Sequence, residues 1–155
     1  MAITRANVES ILIRRLGALL TEAGLDGTTV DGSNVDLNDP IGWAVRQADG
    51  SVDDPATVDD EDVQTVATAD LDKLLDLAEY RALESISGNL NLVDIESGPF
   101  RQSFNQLRVG LEQRIARKRK QLERDYDFGD SGFAASVIEL DRIDGYAGEA
   151  DDTEY

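Results

Sequence analysis

The chain contains no cysteine and no histidine in 155 residues. The first absence removes disulfides, thiolate metal sites and thiol nucleophiles. The second removes the commonest general base and the commonest nitrogen ligand of metal ions. Aromatic residues make up only 6%, so a core must be aliphatic, built from Leu, Ile, Val and Ala. Cations are scarce: 15 Lys and Arg face 32 Asp and Glu, for a formal charge of -17. Such a field opposes non-specific association with nucleic acid and anionic membrane. Long apolar runs are missing too. Ile11 to Leu20 is interrupted by Arg14 and Arg15. It is followed by no clean cleavage site and falls short of the ~20 residues of a membrane span. A soluble chain made in the cytoplasm, without contact with a membrane, is the expectation.

What is present suffices for one domain. Forty-one per cent of the residues are hydrophobic, and a chain of this length buries roughly two thirds of its unfolded surface. Asp outnumbers Glu by 21 to 11 and Arg outnumbers Lys by 12 to 3. That bias fits either a protein working in high salt, where self-repulsion is screened, or a GC-rich genome.

The apolar pattern is helical. Thr4 is placed to cap a helix over 5–23, whose stripe is Val8, Ile11, Leu12, Leu16, Leu19, Leu20 and Ala23. Residues 25–39 are turn chemistry, with Asp-Gly twice. A short helix with Asp39 as cap and Pro40 in its first position carries Trp43, the only tryptophan, as a packing anchor. The acidic stretch 51–62, with Pro55, reads as a linker or loop. Helical patterning returns around Glu61 and is clear from Asp70 to Ser87, where Leu71, Leu74, Leu75, Ala78, Ala82, Leu83 and Ile86 form the apolar stripe, and it is expected to stop at Gly88-Asn89. The last helix is the longest, with Phe100, Phe104, Leu107, Leu111, Ile115, Leu122 and Tyr126 in register. Lys118 fills the gap in that stripe. Beyond Phe128-Gly129, residues 133–143 are strand-like, with no partner strand in view, and 145–155 are small and acidic. The fold class expected is mainly α: a small helical bundle over 1–129 with one long C-terminal helix, and an extended, partly strand-like acidic docking tail over 130–155.

Catalysis without His or Cys would need carboxylates, Lys, Ser, Thr or Tyr. The acidic stretch beginning at Asp31 lacks the glycine and glutamate of a calcium loop, and the one beginning at Asp125 has Ser136 where the glutamate belongs. Asp127-Phe128-Gly129 matches a kinase tripeptide by letters alone. No phosphate-binding loop or dinucleotide fingerprint occurs. The sequence predicts no enzyme, no cofactor and no metal site.

Charge is segregated along the chain. Residues 24–80 carry -13 and residues 125–155 carry -9, while 101–124 carry +6. Arg114, Arg117, Lys118, Arg119 and Lys120 form the centre of that basic helix. Three readings stay open for it: a solvated helix end, an interface with an acidic protein neighbour, or a phosphate-binding face.

The run Leu74 to Tyr126 resembles the paired helices of head-to-tail connector, or adaptor, proteins of tailed bacteriophages. The resemblance is carried by Ala78-Glu79-Tyr80-Arg81-Ala82-Leu83, the break at Gly88-Asn89, Val93-Asp94 before a Gly-Pro turn, and the basic helix ending in Asp125-Tyr126. It covers about a third of the chain. It implies a dodecameric ring beneath the portal that extends the DNA channel and joins the capsid to the neck or tail. DNA would pass through without sequence-specific binding, and the protein would reside in the virion. The portal and the next neck component are the implied partners. Arg114, Arg117, Lys118, Arg119 and Lys120 are the candidate contacts between subunits or with the portal. Phe133, Val137, Ile138, Leu140 and Ile143 are the candidate docking groups of the tail. The competing expectation is a monomeric acidic helical binding module from a salt-adapted organism.

Overall fold

A computed structural model describes residues 3–54, 56–93 and 101–129. It is mainly helical, with 72% of these residues in helices and no strand among them. The expected strand-like tail over 130–155 lies outside the described residues.

Helix α1 (Arg5–Glu22) starts where Thr4 accepts the Asn7 N–H through its hydroxyl. It ends in a Schellman turn: Gly24 takes a positive φ of 74°, Leu25 N–H reaches Leu20 O at 2.9 Å, and Gly24 N–H reaches Thr21 O at 3.0 Å. Val8, Leu12, Leu16 and Leu20 line its buried face.

Helix α2 (Asn38–Gln47) begins earlier than Asp39-Pro40 suggested. A 3-10 turn over Val35–Leu37, capped by the Asn34 side chain, feeds directly into it and leaves Pro40 as the third helical residue. The reason is general: every N–H of the first turn lacks a helical partner, so proline is tolerated beyond the first position.

The acidic stretch 51–62 is not a linker. Val58 is buried, and Asp59 and Asp62 form a capping box that opens the short helix α3 (Asp60–Gln64). The buried Asp62 carboxylate also accepts the Asp53 N–H at 3.0 Å. One valine and one capping pair tie an otherwise hydrophilic segment to the core.

Helix α4 (Leu71–Val93) runs through Gly88-Asn89 instead of stopping there. Gly88 is solvent-exposed in its interior. It costs about 1 kcal/mol relative to alanine, and burial of Ile86 and Leu90 on either side offsets that. α4 is the central element. It packs against α2, α1 and α5 (Arg101–Tyr126), and Leu74, Leu77, Leu83 and Ile86 are fully buried. The 26 residues of α5 make a rod of roughly 39 Å. Trp43 packs with Tyr80 and Phe128, at ring-centroid distances of 6.2 and 5.9 Å. That is the anchoring role expected of the tryptophan, and it fixes the turn after α5 against α2 and α4.

Candidate functional site

Helix α5 has two faces of different character. Leu111 and Leu122 are buried on the inner face, and Leu107, Ile115 and Tyr126 pack beside them. Lys118 lies on the same face, where the sequence had placed it. Its Nζ donates to Asp76 at 2.6 Å and to Glu79 at 3.1 Å, both on α4. Arg114 reaches Glu79 from α5 at 3.0 Å, and Arg15 reaches it from α1 at 2.9 Å. The Tyr126 hydroxyl donates to Asp76 at 3.1 Å. Two carboxylates on α4 thus collect three cations and a phenol from α1 and α5. Lys118 is only 11% exposed, so its ammonium has almost no water to fall back on.

Burial pushes the Glu79 carboxyl up, but Lys118, Arg114 and Arg15 outweigh it and hold its pKa below the ordinary 4.5. The stability this group contributes is therefore complete above about pH 4.5 and is lost as pH falls through the depressed folded value. The difference in melting temperature between wild type and Glu79→Gln, followed by circular dichroism, is expected to be largest near about pH 6 and to shrink steadily below about pH 4.5. A difference that stays constant down to about pH 3 would contradict the pairing. At the alkaline end, burial and then Asp76 push the Tyr126 phenol up.

The outer face is a different surface. Val109, Gln113, Arg117, Lys120 and Arg124 recur at spacings of three and four and form one exposed stripe. Arg117 bonds the Gln113 carbonyl of its own helix. Arg108 and Arg119, on the flank, pair with Glu112 and Glu123 one turn on. The five candidate contacts therefore divide. Arg114 and Lys118 are engaged inside the fold, while Arg117, Arg119 and Lys120 face outward. Phe133, Val137, Ile138, Leu140 and Ile143 lie outside the described residues.

A second polar network was not foreseen from the sequence. Glu9, fully buried, accepts from Arg5 at 2.9 Å, from the Gly32 N–H at 2.7 Å and from the Asn34 N–H at 3.1 Å. Arg5 also donates to the carbonyls of Asn34 and Val58. The signal lay in position: Arg5 and Glu9 fall on the same helical stripe as Val8, Leu12 and Leu16. The network ties loops 25–36 and 51–59 to the start of α1.

A depression of about 600 Å³ beside it is rimmed by Asp31, Asp59, Asp60 and Glu61. Asp59 caps α3 and Asp60 accepts the Arg5 N–H. Ser33 holds the Asp31 carboxyl below its ordinary range. Near the end of α5 a cleft of about 360 Å³ is lined by Lys73, Leu77, Tyr126 and Phe128. Its Lys73 pairs with Asp49 and its Tyr126 with Asp76. Among the described residues, no three acidic side chains converge in a way that would hold a metal ion. No helix among them is long and apolar enough to cross a membrane.

No family model, curated protein or solved structure matches the chain. The resemblance to phage adaptors rests on sequence pattern alone, and one of its features, the break at Gly88-Asn89, is absent from the fold.

Proposed function

We propose that this protein is a structural head-to-tail adaptor of a tailed phage, forming a ring beneath the portal and performing no chemistry of its own. The observation that carries the reading is the charge placement on the folded surface. One exposed stripe of α5 offers Arg117 and Lys120, with Arg124 at its end paired to Asp125 at 2.7 Å, while acids rim the depression at the start of α1. A closed ring needs two unlike faces that meet head to tail. Opposite charge on those faces sets register and steers encounter more than it adds affinity. An acidic wall elsewhere would keep passing DNA from adhering. The portal and the next neck component are the further partners of this reading, and the virion neck is its location.

The mass of the native protein tests it. Native mass spectrometry at rising protein concentration is expected to give a closed oligomer of about a dozen copies, and Arg117→Glu with Lys120→Glu is expected to dissociate it. A monomer at every concentration, with or without a portal ring as template, would overturn the adaptor reading. It would favour the acidic binding module, which predicts a monomer that loses helicity as salt is withdrawn.

A further inference from the structure

We propose that the outward stripe of α5 is a docking surface and that its occupant is the acidic segment 130–155 of the same chain. Three independent observations meet here. The stripe of Val109, Gln113, Arg117, Lys120 and Arg124 is exposed, and it lies opposite the face that packs on α4. Segment 130–155 carries eight acidic residues against the single Arg142, together with the apolar residues Phe133, Val137, Ile138, Leu140 and Ile143. It complements a stripe that offers cations and an exposed valine.

The third observation is direction. After Tyr126 the chain does not continue outward. Asp127 and Gly129 take positive φ values of 51° and 98°, and the Phe128 N–H turns back to the Leu122 carbonyl. The Phe128 ring locks against Trp43 and Tyr80. Gly129 then sits beside Glu123, six positions back along α5, so the chain leaves the domain already doubled over its last helix. A cleft of about 310 Å³ between Arg119, Glu123 and Phe128 opens at that exit. From there about six extended residues span the distance back to the level of Val109. The segment is long enough to follow the whole stripe.

Tethering selects this occupant over a second copy. A segment joined directly to its surface is present at an effective concentration in the millimolar range, far above that of a free partner in dilute solution. In an adaptor ring the segment would have to be displaced before the next subunit could use the stripe. The contact itself does not depend on that reading, because a monomer would form it equally.

Disulfide trapping tests the proposal cleanly, since the chain has no cysteine of its own. The full-length protein would carry Ala134→Cys together with either Ala116→Cys, an exposed position beside the stripe, or Gln47→Cys, an exposed position on α2 that lines the cleft at Gly129. At dilute protein the Ala116 pair is expected to close at least about tenfold faster than the Gln47 pair, as an intramolecular bond that leaves a monomer on a denaturing gel. Arg117→Glu, Lys120→Glu and Arg124→Glu together, checked for helicity, are expected to abolish the difference, as is about 1 M salt. Equal rates for the two pairs, or a preference that survives charge reversal, would overturn the proposal. So would disulfide-linked dimers in place of monomers, which would assign the stripe to a second copy. Failure of the ring shows in native mass and failure of this contact in trapping rate, so the two are separable.

Discussion

Glu9→Ala is expected to destabilise the domain by about 3–5 kcal/mol, a large fraction of what a domain of this size has. Glu9 is 0% exposed and accepts three hydrogen bonds, two of them from backbone N–H groups of the 25–36 loop. Alanine would leave the Arg5 guanidinium, 5% exposed, without its charge partner, and the Gly32 and Asn34 amides without acceptors. Each such orphan carries its own desolvation penalty. Urea unfolding followed by circular dichroism measures the loss. Removing the partner as well should not rescue the domain. In Arg5→Met with Glu9→Leu, the amides of Gly32 and Asn34 and the carbonyls of Val58 and Asn34 still lose their partners. The double variant should therefore stay close to the single one, and recovery to wild-type stability would show that the network does not hold the loops.

Helix placement was legible in the sequence because it follows from spacing. The buried faces of α1, α4 and α5 are the stripes read from Val8, Leu74 and Leu111 onward, and Thr4 and Gly24 mark the ends of α1 by their chemistry alone. The errors at Gly88 and over 51–62 share one cause, which is tertiary contact overriding a local preference. Gly88 is a stop signal by propensity, but Leu90 has a hydrophobic surface to reach, and the helix runs on to meet it. Residues 51–62 are acidic enough to read as solvated, yet Val58 and the side chain of Asp62 give them an interior.

The candidate surface was half legible. Arg117, Arg119 and Lys120 do face outward, whereas Arg114 and Lys118 turn inward to acids on another helix. A run of consecutive cations hides that division, because successive helical residues point about 100° apart. The gap between Ile115 and Leu122 pointed to the inward position of Lys118. No comparable signal identified its partners, since Asp76 and Glu79 lie some forty residues earlier and are only two among 32 acids.

The inner α4–α5 network should respond in the opposite way to the α1 network, and a double-mutant cycle exposes the contrast. Glu79→Leu is expected to cost about 2–4 kcal/mol, because Lys118 stays buried with Asp76 as its remaining partner. The value sits below that for Glu9 because Arg15 and Arg114, with side chains 41% and 38% exposed, can turn to water. Lys118→Met should cost about 1 kcal/mol, since Arg15 and Arg114 still neutralise Glu79 and the methionine keeps the packing between Ile115 and Leu122. The double variant is expected within about 1 kcal/mol of wild type. Unlike Glu9, Glu79 and Lys118 bond among the described residues to side chains and not to backbone, so replacing both by apolar groups breaks no backbone bond there. Both pairs should thus be coupled in a cycle, but joint replacement should rescue Glu79 and Lys118 and should not rescue Arg5 and Glu9. Costs that simply add at Glu79 and Lys118 would mean that the pair is not formed. The same variants also separate fold from assembly. If Lys118 acts only within the subunit, Lys118→Met lowers stability and leaves native mass unchanged, whereas Arg117→Glu with Lys120→Glu does the reverse.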